Sequence, residues 1–481
     1  MIHQQPAPSQ HGALLVLVII FGAVFFLIVV AFMGFVVTQS QVQKAAVEKE
    51  RALSIAEGGL NYYKWYLAHN PGDVTYGTGV PGPYEIPFTD PELGVIGTSS
   101  LAIASTSYCG VVTSIDIEST GYTSDKPDLQ RTVFGRYARP TVAEYAYIIN
   151  SNVWAGSDRT IIGPYHSNGA IRMDGTNNST VTSGLETWQC DGTINCDTGT
   201  TTVGDWISAV FGDGPNDALW NTGVPPVGFA GITVDLTAME TAACSVGSAG
   251  ICIPESGAWG YRIDFQSDGT LDVYVVDRTY NYWGYSSSDG WQTERHAIDD
   301  DDFFATYTID ESCPLIFVED KVWLEGEVST LVSLAAADND LGDPDHSIIL
   351  HDNITYATSS AGLLAVAEED VLVGLVVPDD MELNGIFIAQ NGRFGRNHYR
   401  TWGSYDVEWF HNSYVTRDEL TINGTIVSNG RVGTKWTSGG TFISGFDTRY
   451  NSYDRFLVDN PPPLAPNTSE DYKFVEWREM D

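Results

Sequence analysis

Apolar residues fill the start of the chain almost without interruption. From Gly12 to Val37 the sequence reads GALLVLVIIFGAVFFLIVVAFMGFVV, and residues 1–38 contain no Asp, Glu, Lys or Arg. As a helix this stretch would be about 39 Å long at roughly 1.5 Å per residue, and about 20 residues suffice to cross a bilayer core. A secretory signal peptide has a shorter apolar core and a small-residue cleavage motif. The pattern therefore predicts a membrane helix at 13–38 after a leader at 1–12.

Beyond this stretch the hydrophobic residues follow helical spacing. Apolar side chains recur at intervals of three, four and seven residues, at Val42, Ala46, Leu53, Ala56, Leu60, Tyr63 and Leu67. This periodicity predicts that the helix continues over 39–70 until Asn70, Pro71 and Gly72 end it. The Gly58–Gly59 pair is expected to weaken it, because each glycine costs about 1 kcal/mol relative to alanine.

Short alternating runs of apolar and polar residues come next. VVTSIDIEST and RTVFGRYAR, separated by GYTSDKPDLQ, predict a hairpin in a first β region at 73–139, and Pro140 marks its end.

From residue 144 onward the sequence pattern changes. Short β-branched runs are interrupted by Asn-Gly, as in GPYHSNGAIRMDG, LNGIFIAQNGRFG and INGTIVSNGRVG.

Two of these segments align closely. Asn384 and Asn423 are 39 residues apart, and Asn391 and Asn429 are 38 residues apart. A fixed period of this size is typical of repeat architectures. We interpret it as a parallel β-solenoid with Asn and Gly at the corners, two coils of about 20 residues making one period. The alternative is an antiparallel sandwich with Asn-Gly hairpins.

The predicted solenoid covers 144–180 and 313–455. Residues 181–312 interrupt the pattern and contain four of the six cysteines, so we predict an insertion with its own β structure. Such an insertion should leave the solenoid at one corner and return beside it. Residues 456–481 form a C-terminal tail. The predicted fold class is α+β, mainly β: a long N-terminal membrane helix, a small β head, and a right-handed parallel β-helix with an inserted β region.

Charge narrows the range of functions. The chain has 24 Lys and Arg against 62 Asp and Glu, a formal net charge of −38. Nucleic-acid binding as the main task is not expected, because neutralising phosphates requires clustered cations. Charged residues make up only 18% of the chain and aromatic residues 12%, which excludes a disordered protein.

The cysteines indicate an oxidising compartment. The pairs Cys190–Cys196 and Cys244–Cys252 flank short glycine-containing loops and are predicted to form local disulfides, which leaves Cys109–Cys313 as the third pair. An even number of cysteines suits a translocated domain. Zinc is the alternative, but the chain has no CxxC motif and no histidine close to these cysteines.

Acidic loops are the candidates for a metal. Asp299–Asp302 form an unbroken run, and the loop DNDLGDPD has carboxylates at Asp338, Asp340, Asp343 and Asp345. Oxygen-rich loops bind calcium in many proteins, although neither segment has EF-hand spacing. We treat the second loop as a calcium candidate, with a solvated acidic turn as the alternative. No other cofactor is expected.

Catalytic motifs do not stand out. The segment RFGRNHYR brings together Arg393, Arg396, His398 and Arg400, and β-helices that cleave acidic polysaccharides combine such cations with carboxylates. A solvated loop is the simpler interpretation, and a strongly anionic protein repels an anionic substrate. We therefore expect no enzymatic activity and keep a membrane-anchored extracellular polysaccharide-cleaving enzyme as the alternative.

The N-terminus carries a family resemblance. A short polar leader ends at Gly12, an apolar helix follows, and ALSIAEGGLNYYKWYL continues it. This arrangement resembles the N-terminus of type IV pilin-like proteins, in which a prepilin peptidase cuts after the glycine. The resemblance implies a mature chain that begins at Ala13. His11 stands where the family has Lys or Arg, and Leu17 stands where the main subunits have glutamate, as in a minor-pilin subgroup.

This resemblance implies a function in a surface filament. The chain would be a minor pilin-like component of a type IV pilus or related filament, with a head for structure or adhesion. Its partners would be other pilin-like subunits through the N-terminal helix, the prepilin peptidase, the pilus assembly platform and the membrane. It would be a single-pass membrane protein with its C-terminal domain outside the cell. The combination of GPYHSNG with YDRFLVDNPPPLAPN is also similar to large surface proteins with this N-terminus.

Overall fold

A single long helix opens the structure. The computed structural model describes residues 11–70, 73–197, 201–229, 235–338, 346–469 and 471–480. Helix α1 (His11–His69) is continuous across the predicted membrane and amphipathic segments. The rest of the described chain is mostly strand, which confirms the α+β, mainly β class. Contacts divide the chain into two units: residues 1–104, 117–135 and 477–481, and residues 105–116 with 136–476.

The lower half of α1 packs closely on β structure. Ser119 Oγ donates a 2.7 Å hydrogen bond to the carbonyl oxygen of Ala56, so strand and helix lie side by side. A side chain on Gly58 would come within 2.7 Å of the Phe88 ring, and one on Gly59 would collide with Ser99. The glycine pair therefore permits this contact, and the helix is not interrupted there, because packing outweighs the low helix propensity of glycine.

Strands β1–β4 follow the helix. They are β1(Tyr84–Asp90), β2(Gly94–Tyr108), β3(Val111–Thr123) and β4(Arg131–Ala138). The predicted hairpin over VVTSIDIEST and RTVFGRYAR corresponds to β3 and β4.

The next strands belong to the second unit. Those before its first helix are β5(Tyr147–Ile149), β6(Val153–Ala155), β7(Arg159–Ile162), β8(Tyr165–Ser167), β9(Ile171–Met173), β10(Thr176–Asn177), β11(Val181–Ser183), β12(Thr187–Gln189), β13(Trp206–Ser208), β14(Val210–Phe211) and β15(Trp220–Asn221). Helix α2(Leu236–Cys244) follows.

The remaining strands complete both units. After α2 come β16(Ile251–Ile253), β17(Tyr261–Phe265), β18(Thr270–Thr279), β19(Tyr282–Ser286), β20(Gly290–Glu294), β21(Ile298–Thr308), β22(Leu315–Val318), β23(Val322–Val328), β24(Leu331–Ala336), β25(Ile348–Tyr356), β26(Gly362–Ala367), β27(Val371–Val373), β28(Asp380–Ala389), β29(Phe394–Gly395), β30(Thr416–Ser428), β31(Lys435–Ser438) and β32(Thr441–Ser452). Helix α3(Arg455–Asp459) and strand β33(Lys473–Met480) end the chain, and β33 joins the first sheet in the order β1-β2-β3-β4-β33.

Parallel ladders build the second unit. One ladder runs β16-β22-β24-β26-β28-β30-β5-β8-β11-β15, with every pairing parallel. Two more run β17-β23-β25-β27-β29 and β28-β30-β32-β7-β10, and a short one runs β6-β9-β14. We call the strands of these ladders the parallel stack. The strands of the parallel stack pair as the strands of successive coils would. That these coils form a right-handed β-helix stays a prediction.

The order of the coils in space differs from their order in the chain. Strand β5 pairs with β8 on one side and with β30 on the other, so the last coils of the chain lie on its first. Residues 181–183 and 220–221 form one end of the long ladder, and residues 251–253 form the opposite end. The expectation that 181–312 leaves and returns at one corner is therefore wrong. This segment contributes strands to both ends, because the chain crosses from one end to the other between β15 and β16.

Register within the stack is set by the repeated Asn-Gly motifs. Asn384 pairs directly with Asn423, and Gly385 pairs with Gly424, in adjacent parallel strands. The antiparallel sandwich is thus wrong for these strands. The estimate of two coils per period is also wrong, since one coil there takes 39 residues: the loop that carries the short 3₁₀ helix Trp409–Tyr414 lengthens it.

Asparagine side chains stack along one corner. Asn429 Nδ2 donates 2.9 Å to the carbonyl oxygen of Asn391, Asn150 Nδ2 donates 2.9 Å to Asn429 Oδ1, and Asn168 Nδ2 donates 2.8 Å to Asn150 Oδ1. We call these four residues the asparagine ladder. Each contact links one coil to the next, and stacked amides of this kind also stabilise cross-β assemblies.

A continuous apolar core fills the stack. Leu350, Leu383, Phe387 and Phe394 are fully buried in one cluster that extends along the coils to Tyr165. Alternate residues of each strand point inward, as the period-2 pattern requires. Burial of apolar surface at about 25 cal/mol per Å² makes this core the main stabilising element of the second unit.

Candidate functional site

The apolar half of α1 is exposed to its surroundings. Among the described helices, α1 is long and apolar enough to cross a membrane, and its most apolar window makes no buried contacts. Large side chains are exposed on every side of it, including Leu14, Leu17, Phe21, Phe25, Phe26, Phe32 and Phe35. A helix that is hydrophobic all round is stable only in a membrane or among other apolar helices. We call Leu14–Val37 the apolar half-helix.

Two glycines interrupt this surface. A side chain on Gly22 or Gly34 would meet nothing within 4 Å. Both positions are thus open on the outside of the helix, and small residues let neighbouring helices approach closely in apolar surroundings. Leu17, the position of the family's glutamate, is 56% exposed and carries no charge into this surface.

Tyrosines fix the end of α1. Tyr66 donates a 2.5 Å hydrogen bond to Asp73 Oδ2, and Tyr63 donates a 2.9 Å hydrogen bond to the carbonyl oxygen of Asp73. The Tyr66 hydroxyl, followed by the hydrogen bonds from Thr75, lowers the pKa of the Asp73 carboxyl to about 2. This charge-assisted contact holds the segment after the helix against its last turns.

The predicted processing residues lie at the start of α1. Gly12 and Ala13 are helical in the structure, and the cleavage proposed between them stays a prediction.

The calcium loop is largely outside the described residues. Asp340, Asp343 and Asp345 fall in 339–345, while Asp338 is described and its backbone N–H donates to Glu368. Calcium at this loop stays a prediction. The other acidic run, Asp299–Asp302, lies in β21. There Asp299 and Asp300 pair with Arg278, and Asp301 pairs with Arg262.

All six cysteines are bonded. Disulfides join Cys190 to Cys196, Cys244 to Cys252, and Cys109 to Cys313 across 204 residues of sequence. Glu319 lies near the Cys244–Cys252 pair. Because those sulfurs are oxidised, they cannot act as the thiolate ligands that a metal site would need.

The residues of RFGRNHYR separate in the fold. Arg396 is fully buried and donates to the carbonyl oxygens of Leu375 and Tyr414. His398 is buried, while Arg400 lies over the Trp291 ring at 4.5 Å. Arg393 lines a pocket. The segment therefore serves mainly to anchor a loop to the stack.

Glu294 is the most enclosed carboxylate nearby. It accepts hydrogen bonds from the Tyr399 hydroxyl, 2.5 Å away, and from Asn397 Nδ2, and it lies 3.3 Å from His296 Nδ1. Only 8% of the residue is exposed. A carboxylate so fully hydrogen-bonded stabilises the local structure.

A pocket rich in cations and aromatic rings lies on another part of the stack. Its volume is about 470 Å³. Its charged and aromatic lining side chains are Trp154, Asp158, Asp174, Arg393, Arg431, Lys435, Trp436 and Arg449. We call it the basic pocket. The basic pocket could not be predicted from the sequence, because its residues come from coils that are distant in the chain. The only sequence signal was the repeated Asn-Gly-Arg, at 391–393 and 429–431.

Comparison with known proteins gives little direct guidance. No protein-family model matches the chain, and no curated protein matches it. Among solved structures, the chain is similar to the competence-associated pilin ComZ from Thermus thermophilus, with 12% sequence identity over 90% of this chain and 97% of that chain. The TM-score is 0.26, which is too low to support an argument about function.

Proposed function

We propose that the chain is a pilin-like minor subunit of a type IV pilus or related surface filament, with an extracellular head for structure or adhesion. The observation that carries this proposal is the division of α1. Its apolar half-helix has no partner within the described chain, whereas its lower half packs on a sheet through Ala56, Gly58 and Gly59. A helix built in this way is held by its own domain at one end and offers the other end to neighbours.

Leu17 supports a minor role. Charges are costly in an apolar bundle unless they are paired. With leucine at this position, the chain neither carries that cost nor offers a carboxylate to the N-terminal amine of a neighbour. The chain would thus join filaments made by other subunits and would not polymerise alone.

The disulfides support an extracellular head. Three disulfides in one chain are typical of oxidising compartments. The cations nearest the apolar half-helix, Lys44, Lys49 and Arg51, would favour the opposite orientation by the positive-inside rule. Long domains translocate largely regardless of charge, so the disulfides support an extracellular orientation of the head.

Binding without catalysis is part of the same proposal. Glu294 is the buried carboxylate nearest to the RFGRNHYR segment, and its oxygens are occupied by Tyr399 and Asn397. A general acid or base needs to reach a substrate proton within hydrogen-bond distance. Glu294 therefore offers no free oxygen for acid–base chemistry beside the RFGRNHYR segment.

Filament incorporation is the decisive test. The full chain would be produced in its host as wild type, as Phe25→Asp in the apolar half-helix, and as Val42→Asp beyond it. Both side chains are more than half exposed, so the two variants differ mainly in whether the carboxylate enters the apolar layer. We expect wild type and Val42→Asp in the sheared filament fraction and Phe25→Asp to be lost from it. Absence of the wild-type chain from that fraction would refute the proposal.

The N-terminus of the recovered chain gives a second measurement. Mass spectrometry of the filament fraction should find Ala13 as the first residue. A chain in that fraction that retains residues 1–11 would contradict processing by a prepilin peptidase.

A further inference from the structure

The basic pocket concentrates positive charge in a strongly acidic protein. Four cations line it, Arg393, Arg431, Lys435 and Arg449, against the two carboxylates Asp158 and Asp174. The whole chain has 62 acidic residues and only 24 Lys and Arg. A local excess of cations in such a chain focuses a field that attracts anions to this point.

Both carboxylates of the pocket are already occupied. Asp158 forms a bidentate pair with Arg449, at 2.8 and 2.9 Å. Asp174 accepts from Trp154 Nε1 at 2.7 Å and from Arg172 Nε at 2.8 Å. These pairs hold their side chains in place, and Asp158 Oδ2 also lies 3.8 Å from Lys435 Nζ.

Two arginines of the pocket form no direct ion pair among the described residues, although Asp289 acts on Arg393 and Asp191 acts on Arg431 at longer range. Among the described residues neither Arg393 nor Arg431 has a carboxylate within salt-bridge distance. Arg393 donates to Asn397 Oδ1, and Arg431 donates to the carbonyl oxygen of Thr193 at 2.7 Å. Arg393 is only 8% exposed, and its Nε has no hydrogen-bond partner. A buried, partly unsatisfied guanidinium is unfavourable without a counter-charge.

The fold places these two arginines side by side. Each follows an Asn-Gly corner, and Gly430 N–H donates a 2.7 Å hydrogen bond to the carbonyl oxygen of Gly392. Arg393 and Arg431 therefore occupy the same position in consecutive coils, about 4.8 Å apart along the stack. Like charges that face each other across a ladder are destabilising. An anion bound between them would relieve that repulsion.

The aromatic rings of the pocket are held rigidly. Trp154 is fixed by its hydrogen bond to Asp174 and by Arg172, whose guanidinium lies 4.5 Å from the ring centroid. Trp436 Nε1 donates 2.9 Å to the carbonyl oxygen of Arg396. Rigid tryptophans beside hydrogen-bonding groups suit the apolar faces and hydroxyl edges of a sugar ring.

We propose that the basic pocket binds a carboxylated sugar residue of an anionic polysaccharide, with its carboxylate facing Arg393 and Arg431 and its ring beside Trp154 and Trp436. This inference rests on the proposed function, because it identifies the class of ligand to which the head would adhere. A pocket of this size suits one or a few sugar residues.

Binding can be measured on the purified full chain in detergent. The probe is a tetramer of galacturonate, titrated by calorimetry at fixed ionic strength, and its methyl-esterified form is the neutral control. We expect binding of the acid form and at least tenfold weaker binding of the ester, because a charge-assisted hydrogen bond contributes roughly one such factor. Equal binding of the two forms, or no binding of either, would overturn the proposal.

Matched arginine variants locate the site. Arg431→Gln should weaken binding of the tetramer at least tenfold, and Arg278→Gln, an exposed arginine outside the pocket, should leave it unchanged. Unfolding curves of both variants show whether either affects stability, and Trp436→Phe provides a second variant if Arg431→Gln is unstable. Equal losses at Arg278 and Arg431, or equally tight binding of a DNA tetranucleotide, would mean general charge attraction and would refute the site.

Because the assay uses isolated protein, its result is independent of filament assembly. A chain that enters filaments but does not bind the tetramer overturns only this inference. A chain that binds it but is absent from filaments overturns only the proposed function.

Discussion

Asn150 donates a 2.9 Å hydrogen bond to the side chain of Asn429, across 279 residues of sequence. This contact lies where the first coil of the parallel stack meets the last. Strand β5 pairs with β30 at the same junction, from Tyr147 opposite Ile426 to Ile149 opposite Ser428. Early and late segments of the chain are thus joined by the same ladder geometry that joins neighbouring coils.

Removing the central member of the asparagine ladder should weaken the junction. Asn429→Ala deletes a donor to Asn391 and an acceptor for Asn150, and we expect a loss of about 1–2 kcal/mol in the free energy of unfolding. Urea unfolding followed by tryptophan fluorescence measures this loss. Asn281→Ala, at an exposed position, is the control and should stay close to wild type. Equal midpoints for all three proteins would contradict a structural role for the ladder.

Close backbone approach makes one glycine of the stack irreplaceable. Gly424 has φ +147°, and an added Cβ would collide with the carbonyl oxygen of Gly385 in the neighbouring coil. We expect Gly424→Ala to cost about 2–4 kcal/mol, because it combines backbone strain with overlap against main chain.

Gly433→Ala is the matched control for that substitution. A Cβ there meets nothing within 4 Å, and the position follows β30 in the same coil as Gly424. Its unfolding midpoint in urea should be within experimental error of wild type or slightly higher. If the two alanine variants were equally stable, the close approach of Gly424 and Gly385 would have no energetic importance.

The disulfides should differ in their contribution to stability. Cys109–Cys313 closes 204 residues and Cys190–Cys196 closes 6. If constraint of the unfolded chain dominates, the first contributes about 5 kcal/mol and the second about 2 kcal/mol. Paired Cys→Ser variants of each, compared by denaturant unfolding, test this ranking. A larger loss from the short loop would contradict the entropic explanation.

Acid should destabilise the head through its buried histidines. Burial, with a smaller effect of Arg262, lowers the pKa of His351 to about 4, and burial with Arg400 lowers the pKa of His398 to about 4. In the unfolded chain these groups titrate near 6.5. Between these values the unfolded state binds more protons, so stability is fully present above pH 6.5 and is lost as pH falls toward 4.

Unfolding midpoints measured at pH 7, 6, 5 and 4 test this dependence. His351→Gln should decline less steeply than wild type over that range, whereas His69→Gln, at the exposed end of α1, should decline in parallel with it. A wild-type midpoint that does not change between pH 6.5 and 4.5 would show that these histidines do not titrate as argued.

Local features of the fold could be predicted from the sequence. The apolar stretch before Val37 and the helical spacing after it predict α1, because one helix satisfies all its backbone hydrogen bonds without a partner. The Asn-Gly repeats predict parallel neighbours, and Asn384 does pair with Asn423. Both signals are local: composition in the first case, and the requirement for φ > 0 at Gly385 and Gly424 in the second.

Features that depend on coil order could not be predicted. Nothing in the residues around Tyr147 or Ile426 indicates that they pair. Any two strands with a similar apolar pattern can form the same backbone hydrogen bonds in a parallel ladder, so the pattern does not select the partner. The basic pocket depends on that order, since Trp154 comes from the first coils and Trp436 from the last. Its chemistry therefore becomes visible only once the coils are stacked.

The junction between β5 and β30 also fixes when the head can be completed. Synthesis delivers residues 147–221 before residues 416–452, yet these segments are neighbours in the finished ladder. Until residues 416–452 are made, β5 and β7 each keep one unpaired edge of N–H and C=O groups, and such edges are templates for pairing with other chains. Translation of the later segment therefore closes both edges, and a chain released before it is made carries open edges that chaperones and proteases recognise.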